Sequence, residues 1–107
     1  MYTQTWKKYL PVIRILLKKA IIEDQKLQLN MSDFQKAAIL RKSGHTFTIG
    51  IREGKSETIG LPGIAKDLSA VLLSDTAAKE LFMQNDYTIR FDAKCQLSFK
   101  KVASPSP

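Results

Sequence analysis

The chain has 107 residues, of which 44% are hydrophobic and 25% charged, and its 17 basic and ten acidic residues give a net charge of +7. A chain of this length has room for one hydrophobic core but not for two domains. A single cysteine excludes an internal disulfide, which favours a reducing, cytoplasmic location. With only one histidine beside it, the chain also lacks the ligands from which structural zinc sites are normally built.

The positive charge is concentrated at the two ends of the chain. Residues 1–22 contain five basic residues and no acid, and residues 93–107 contain three basic residues and no acid. The residues between them hold nine basic and ten acidic side chains, so this middle part is close to neutral. This uneven distribution of charge affects which partners the protein binds and how soluble it is, rather than which fold it adopts.

Residues from about 6 to 23 predict an amphipathic helix with a cationic outer side. Pro11 leaves two alternatives: a helix that begins near Tyr9, or a longer helix that is capped by Thr5 and kinked by the proline. Ile15 and Ile22 lie among the basic residues opposite the apolar stripe. The apolar residues that form this stripe recur at steps of three and four: Trp6, Tyr9, Leu10, Ile13, Leu17, Ala20 and Ile21.

The next elements are short. Residues 26–31 alternate between apolar and polar types, which predicts a strand that suits a sheet edge. Ser32 and Gln35 form a capping box, and Gly44 is a typical stop, so residues 32–44 predict a short helix. Residues 45–61 predict a β-hairpin whose turn is Glu53-Gly54.

The second half predicts two helices and a long final strand. Residues 64–72 place their apolar side chains on one helical face, and Ser74 or Asp75 caps a second helix that ends near residues 85–86. Residues 87–100 alternate without interruption, which predicts a strand of about 43 Å with a bulge or bend near residues 92–93.

These elements predict an α+β fold. We expect an antiparallel sheet of about four strands, including the long C-terminal strand, with three to four helices packed on one face. Residues 1–103 would form a single domain, and residues 104–107 a disordered tail.

Two glycine motifs predict turns rather than ligand loops. Gly54-Lys55-Ser56 ends like a phosphate-binding loop, but Ile49 stands where the first glycine is needed and a strand follows in place of a helix. Gly60 and Gly63 frame a loop similar to that of KH domains, yet it follows a strand and lacks a basic residue.

Catalytic constellations are absent from the sequence pattern. His45 and Cys95 lie on the apolar parity of predicted strands, which favours burial over a catalytic pair. The carboxylates show no spacing suited to paired acid and base catalysis. We therefore expect a protein that is not an enzyme and has no metal and no cofactor.

The predicted sheet has an apolar and a polar parity. Four aromatic residues share the apolar parity, where the amphipathic helices would cover them: Phe47, Tyr87, Phe91 and Phe99. The polar parity of the final strand carries Arg90, Lys94 and Lys100, which would form a basic stripe on the exposed face.

The cationic helix is the main functional candidate. Its charged residues exclude a membrane-spanning helix and argue against a secretory signal, whereas a targeting presequence remains an alternative. Cations on one face suit the phosphates of a nucleic acid, RNA rather than DNA, in a ribonucleoprotein or similar assembly. The expected phosphate contacts are Lys7, Lys8, Arg14, Lys18, Lys19, Lys100 and Lys101.

A protein partner is the alternative. Val12, Ile15 and Ile22 would form an exposed apolar patch on the helix, and a free sheet edge could also pair with a second chain or a second copy. Binding of the helix to an anionic membrane surface is a third, weaker option.

Overall fold

The computed structural model describes residues 3–20, 25–30, 46–57, 59–92 and 94–102. The predictions for the helix at 32–44, for Ile22 and His45, and for the tail at 104–107 lie outside these residues. The described elements are, in chain order, α1 (Thr3–Lys18), β1 (Lys26–Gln28), β2 (Phe47–Arg52), β3 (Lys55–Ser56), α2 (Gly63–Ser74), α3 (Thr76–Gln84), β4 (Asp86–Phe91) and β5 (Gln96–Val102).

The five described strands form one antiparallel sheet in the order β1-β5-β4-β2-β3. Its apolar face is buried against the helices, and its polar face is open to solvent. The α+β prediction is therefore confirmed. The four aromatic residues at positions 47, 87, 91 and 99 all belong to the core, as their parity predicts.

The prediction of one long C-terminal strand is wrong, because β4 and β5 are two antiparallel strands joined by a turn. Asp92 builds this turn: its Oδ1 accepts hydrogen bonds from the backbone N–H groups of Lys94 and Gln96 at 2.9 and 3.0 Å. Cys95 lies in the turn rather than in a strand, with a φ of 62°, and its side chain is buried. Phe91 pairs with Leu97, and both side chains lie on the same face of the sheet. The alternation of apolar and polar residues therefore continues through the turn and does not reveal it.

The hairpin of β2 and β3 is shorter than predicted. Glu53 and Gly54 have φ values of 55° and 75°, which is typical of a type I′ turn and confirms the turn prediction. β3 ends at Ser56, however, and Ile59 is 99% exposed instead of continuing the strand. Gly60, with a φ of 78°, turns the chain towards α2 at this point.

Helix α1 begins at Thr3 and contains Pro11, so the longer of the two predicted helices is the one observed. The predicted cap is wrong, because Thr5 lies inside the helix rather than before its first residue. It ends at Lys18, before the predicted residue 23. The reason lies in the last turn, where hydrogen bonds from Lys19 to Leu16 and from Ala20 to Leu17 span three residues and tighten the backbone.

Trp6 anchors α1 to the rest of the core. Its side chain is fully buried, and Nε1 donates a hydrogen bond to the carbonyl oxygen of Ile64 in α2 at 2.9 Å. The indole also meets the ring of Phe91 edge to face, with centroids 6.2 Å apart. Together with Ile13 and Leu17, Trp6 makes α1 a packed part of the fold.

Asp75 separates α2 from α3. It caps α3 by accepting a hydrogen bond from the backbone N–H of Ala78 at 3.0 Å, which confirms one of the two predicted caps. Ser74 belongs to the last turn of α2, where its hydroxyl donates to the carbonyl oxygen of Val71.

Candidate anion-binding surfaces

Four lysines of the predicted phosphate site lie exposed on the outer side of α1: Lys7, Lys8, Lys18 and Lys19. Eleven residues separate Lys7 from Lys18, and the same interval separates Lys8 from Lys19. Because eleven residues make about three turns, Lys7 and Lys18 lie along one line of the helix, about 16 Å apart, and Lys19 follows in the turn directly after the helix. We call these four residues the α1 lysines. The ammonium group of Lys8 also lies 5.6 Å from the centre of the Tyr9 ring.

Arg14 differs from these lysines because its charge is matched within the protein. Its guanidinium makes a bidentate ion pair with Asp75, with Nε 3.0 Å from Oδ2 and Nη2 against Oδ1. These hydrogen bonds hold the pKa of the Asp75 carboxyl below its usual range and raise the pKa of Arg14. Arg14 therefore fastens α1 to the N-terminus of α3, and we leave it out of the proposed phosphate contacts.

Lys100 and Lys101 point to opposite sides of the sheet. Lys100 pairs with Thr88 on the open face, whereas Lys101 pairs with Tyr87 on the helix side. Lys101 lines a shallow pocket together with Lys18, and its backbone N–H donates to the carbonyl oxygen of Ala20 at 3.3 Å. The structure thus brings Lys101 to the α1 lysines and separates Lys100 from them.

The open face of the sheet carries a second group of cations. One basic residue each from β1, β5, β4 and β2 points to this face, across about 14 Å at ordinary strand spacing. The guanidinium of Arg52 donates to the carbonyl oxygen of Tyr87 at 2.9 Å and lies across Gly50. We call this group the basic strip: Lys26, Lys100, Arg90 and Arg52.

Three members of the basic strip surround a concavity of about 350 Å³. Lys26, Arg90 and Lys100 line it together with two hydroxyl-bearing residues, Thr88 and Ser98. Asp92 is the only acidic residue of its described lining. Its Oδ1 already accepts two backbone hydrogen bonds in the turn.

Sequence reasoning found two of the four members of the basic strip and missed the other two, Lys26 and Arg52. Arg90 and Lys100 were expected on one stripe with Lys94, which instead lies in the β4–β5 turn. Lys26 and Arg52 come from parts of the chain that are nearly neutral in sequence, so local charge gives no signal. The polar parity of each strand marks these residues, but only the strand order places them side by side.

The alternative apolar patch is present in part. Val12 and Ile15 are 43% and 54% exposed on α1, while Ile22 lies outside the described residues. The edges of the described sheet are β1 and β3, with three and two residues, and each carries a lysine. Short, charged edges of this kind disfavour pairing with another strand.

The described residues contain no group of three or more potential metal ligands. None of the three described helices has the length and hydropathy needed to cross a bilayer. Comparison with protein-family models, curated proteins and solved structures finds no match.

Proposed function

We propose that this chain is a non-enzymatic, cytoplasmic binding protein that contacts nucleic acid, RNA rather than DNA, through backbone phosphates in a ribonucleoprotein or similar assembly. The observation that carries this proposal is the outer side of α1, where three exposed lysines lie on a helix that contains no carboxylate and the exposed Lys19 follows directly after its last residue. Lys101 extends this cationic side beyond the C-terminal end of the helix.

The packing of α1 supports a binding role for these lysines. Because Trp6, Ile13 and Leu17 hold the helix in the core, the backbone positions of the α1 lysines are fixed before any ligand binds. Preorganised positions lower the entropy that binding costs. Contacts from lysine to phosphate carry no base information, so we expect binding that tolerates changes of sequence and weakens steeply with salt.

The test is the affinity for RNA after the α1 lysines are replaced by Gln. We expect the four-residue variant to lose most binding at physiological salt, and the slope of log affinity against log salt to fall by about one for each phosphate contact removed. A matched comparison uses two pairs that remove the same charge, Lys7 with Lys18 and Lys66 with Lys79. The second pair is exposed on α2 and α3 and should change little. RNA affinity unchanged in the four-residue variant would refute the proposal.

A protein partner is the second candidate, and the exposure of Val12 and Ile15 favours it. These two side chains lie between Lys8 and Lys19 along one line of α1, so an apolar centre has a cation at either end. Such a stripe suits an acidic amphipathic helix or a second copy of this chain.

Solution mass separates the two candidates. A dimer that forms with rising concentration, persists in high salt and is lost in the Ile15→Glu variant would favour the protein interface. A monomer at all concentrations that leaves RNA as salt increases would favour phosphate binding.

A further inference from the structure

The concavity on the open face of the sheet is a binding site separate from α1. We infer that it holds a backbone phosphate of duplex RNA, and that the basic strip follows the same duplex across the sheet. This inference rests on the proposed function and adds to it a second surface and a ligand class.

The concavity has the composition that a phosphate group requires. Lys26, Arg90 and Lys100 supply positive charge, and the guanidinium of Arg90 can donate two parallel hydrogen bonds to phosphate oxygens. Thr88 and Ser98 supply hydroxyl donors between the cations. Three cations against the single carboxylate of Asp92 leave the described lining with an excess of positive charge.

Two of these cations have no partner of their own among the described residues. The side chains of Lys26 and Arg90 make neither an ion pair nor a hydrogen bond there. Arg14 shows the contrast, since its guanidinium makes two hydrogen bonds to the carboxylate of Asp75. An arginine and a lysine that line a concavity and have no carboxylate partner in the described part of the chain are complementary to an external anion.

Duplex, rather than single-stranded, nucleic acid fits this face because its described residues present no exposed ring on which a base can stack. The aromatic side chains of the described strands, at positions 47, 87, 91 and 99, all point into the core. Proteins that bind single strands combine a basic groove with exposed aromatic residues, whereas duplex RNA is recognised through phosphates and 2′-hydroxyls.

RNA fits better than DNA because uncharged hydrogen-bonding groups border the basic strip. Thr48, Gln28 and Gln96 point to the open face next to its cations. Gln28 donates its amide N–H to the carbonyl oxygen of Lys94 at 2.7 Å, a hydrogen bond that does not use the acceptor capacity of its amide oxygen. An acceptor of this kind can take a hydrogen bond from a 2′-hydroxyl, which DNA lacks.

The experiment measures the affinity of the monomeric protein for three probes of equal nucleotide number: an RNA duplex, an unstructured single-stranded RNA and a DNA duplex. The variant Lys26→Gln with Arg90→Gln removes two charges from the concavity, and Lys66→Gln with Lys79→Gln is the matched control. Thermal unfolding of each variant establishes that the fold is retained.

We expect the unmodified protein to bind the RNA duplex most tightly. The concavity variant should bind it at least about tenfold more weakly, with a salt slope lower by about two, and the control should match the unmodified protein. Asp92→Asn, which keeps acceptor capacity in the turn and removes the carboxylate charge, should tighten binding.

Three results would overturn the inference: single-stranded RNA or DNA bound as tightly as duplex RNA, a concavity variant that binds like the control, or loss of binding only when the α1 lysines are replaced. The last result would still support the proposed function. Absence of RNA binding in the unmodified protein would refute both.

Discussion

Asp75 performs two structural tasks with one carboxylate. Oδ2 caps α3 at the N–H of Ala78, and both oxygens receive the guanidinium of Arg14 from α1. A negative charge at a helix N-terminus is also favoured by the helix dipole. One side chain therefore couples the start of α3 to the position of α1, on which the α1 lysines stand.

The lowered pKa of the Asp75 carboxyl predicts that the free energy of unfolding decreases at acidic pH. Because the folded-state pKa is lower than the unfolded value, the ion pair stabilises the protein above the ordinary carboxyl range, and this contribution is lost as the pH falls through the folded-state pKa. Asp75→Asn keeps the cap but not the charge and should cost roughly 0.5 kcal/mol near neutral pH, whereas Asp75→Ala should cost about 1–2 kcal/mol.

Urea unfolding at about pH 7 and about pH 3 measures these differences. The gap between the unmodified protein and Asp75→Asn should narrow in acid, while the loss in Asp75→Ala should persist in part because the cap is still missing. A gap between the unmodified protein and Asp75→Asn that is equal at both pH values would show that the ion pair with Arg14 contributes nothing.

Among the elements, the β4–β5 hairpin shows what alternation can and cannot predict. Side-chain parity correctly assigned Phe91, Leu97 and Phe99 to the buried face. It could not reveal the turn, because the chain reverses between Phe91 and Leu97 and these two residues pair directly on the same face. The turn depends on two hydrogen bonds of Asp92 and on a positive φ at Cys95, a conformation that is uncommon for a residue other than glycine.

The hydrogen bonds of Asp92 in this turn predict how its substitution changes the stability of the β4–β5 hairpin. Asp92→Ala removes the acceptor of two backbone N–H groups, at Lys94 and Gln96, and should destabilise the protein by about 1–3 kcal/mol. Amide hydrogen exchange should show faster exchange at Gln96, while amides within α2 lose protection only as far as global stability falls. Asp92→Asn, which keeps an oxygen acceptor, is the control and should lie close to the unmodified protein. Unchanged exchange at Gln96 in Asp92→Ala would contradict the assigned role of the side chain.

How well the sequence predicts each candidate site depends on whether the site is built from residues that are near or distant in sequence. The α1 lysines follow from helical periodicity, which is a local property of α1 and the turn after it, and the structure leaves all four exposed. The role of Arg14 depends on Asp75, 61 residues away in sequence, and no local pattern records that contact. The basic strip depends on the order of four strands, which single-sequence periodicity does not contain.

In the folded molecule, the cations are grouped differently from their order along the chain, where the net positive charge lies at the two ends. Lys26, Arg52 and Arg90 come from the nearly neutral middle of the chain, and Lys100 comes from the basic end, yet all four lie on the open face of the sheet. The α1 lysines lie in the helical layer that covers the other face. The proposed function and the further inference thus give the molecule two phosphate-binding surfaces on opposite sides, an arrangement suited to joining two nucleic-acid segments.

This arrangement predicts that one monomer bridges two RNA duplexes. A biotinylated duplex on beads should retain a second, fluorescent duplex when the unmodified protein is present at low salt. At this low salt, where the remaining surface still binds RNA, the concavity variant and the four-residue α1 variant should each hold one duplex but retain little of the other, since each keeps a single surface. Mixing the two variants separates bridging by a monomer from bridging by association: a monomer cannot recover the signal from the mixture, whereas a dimer can. Retention by either variant alone, at the level of the unmodified protein, would show that one surface suffices and that the two are not independent.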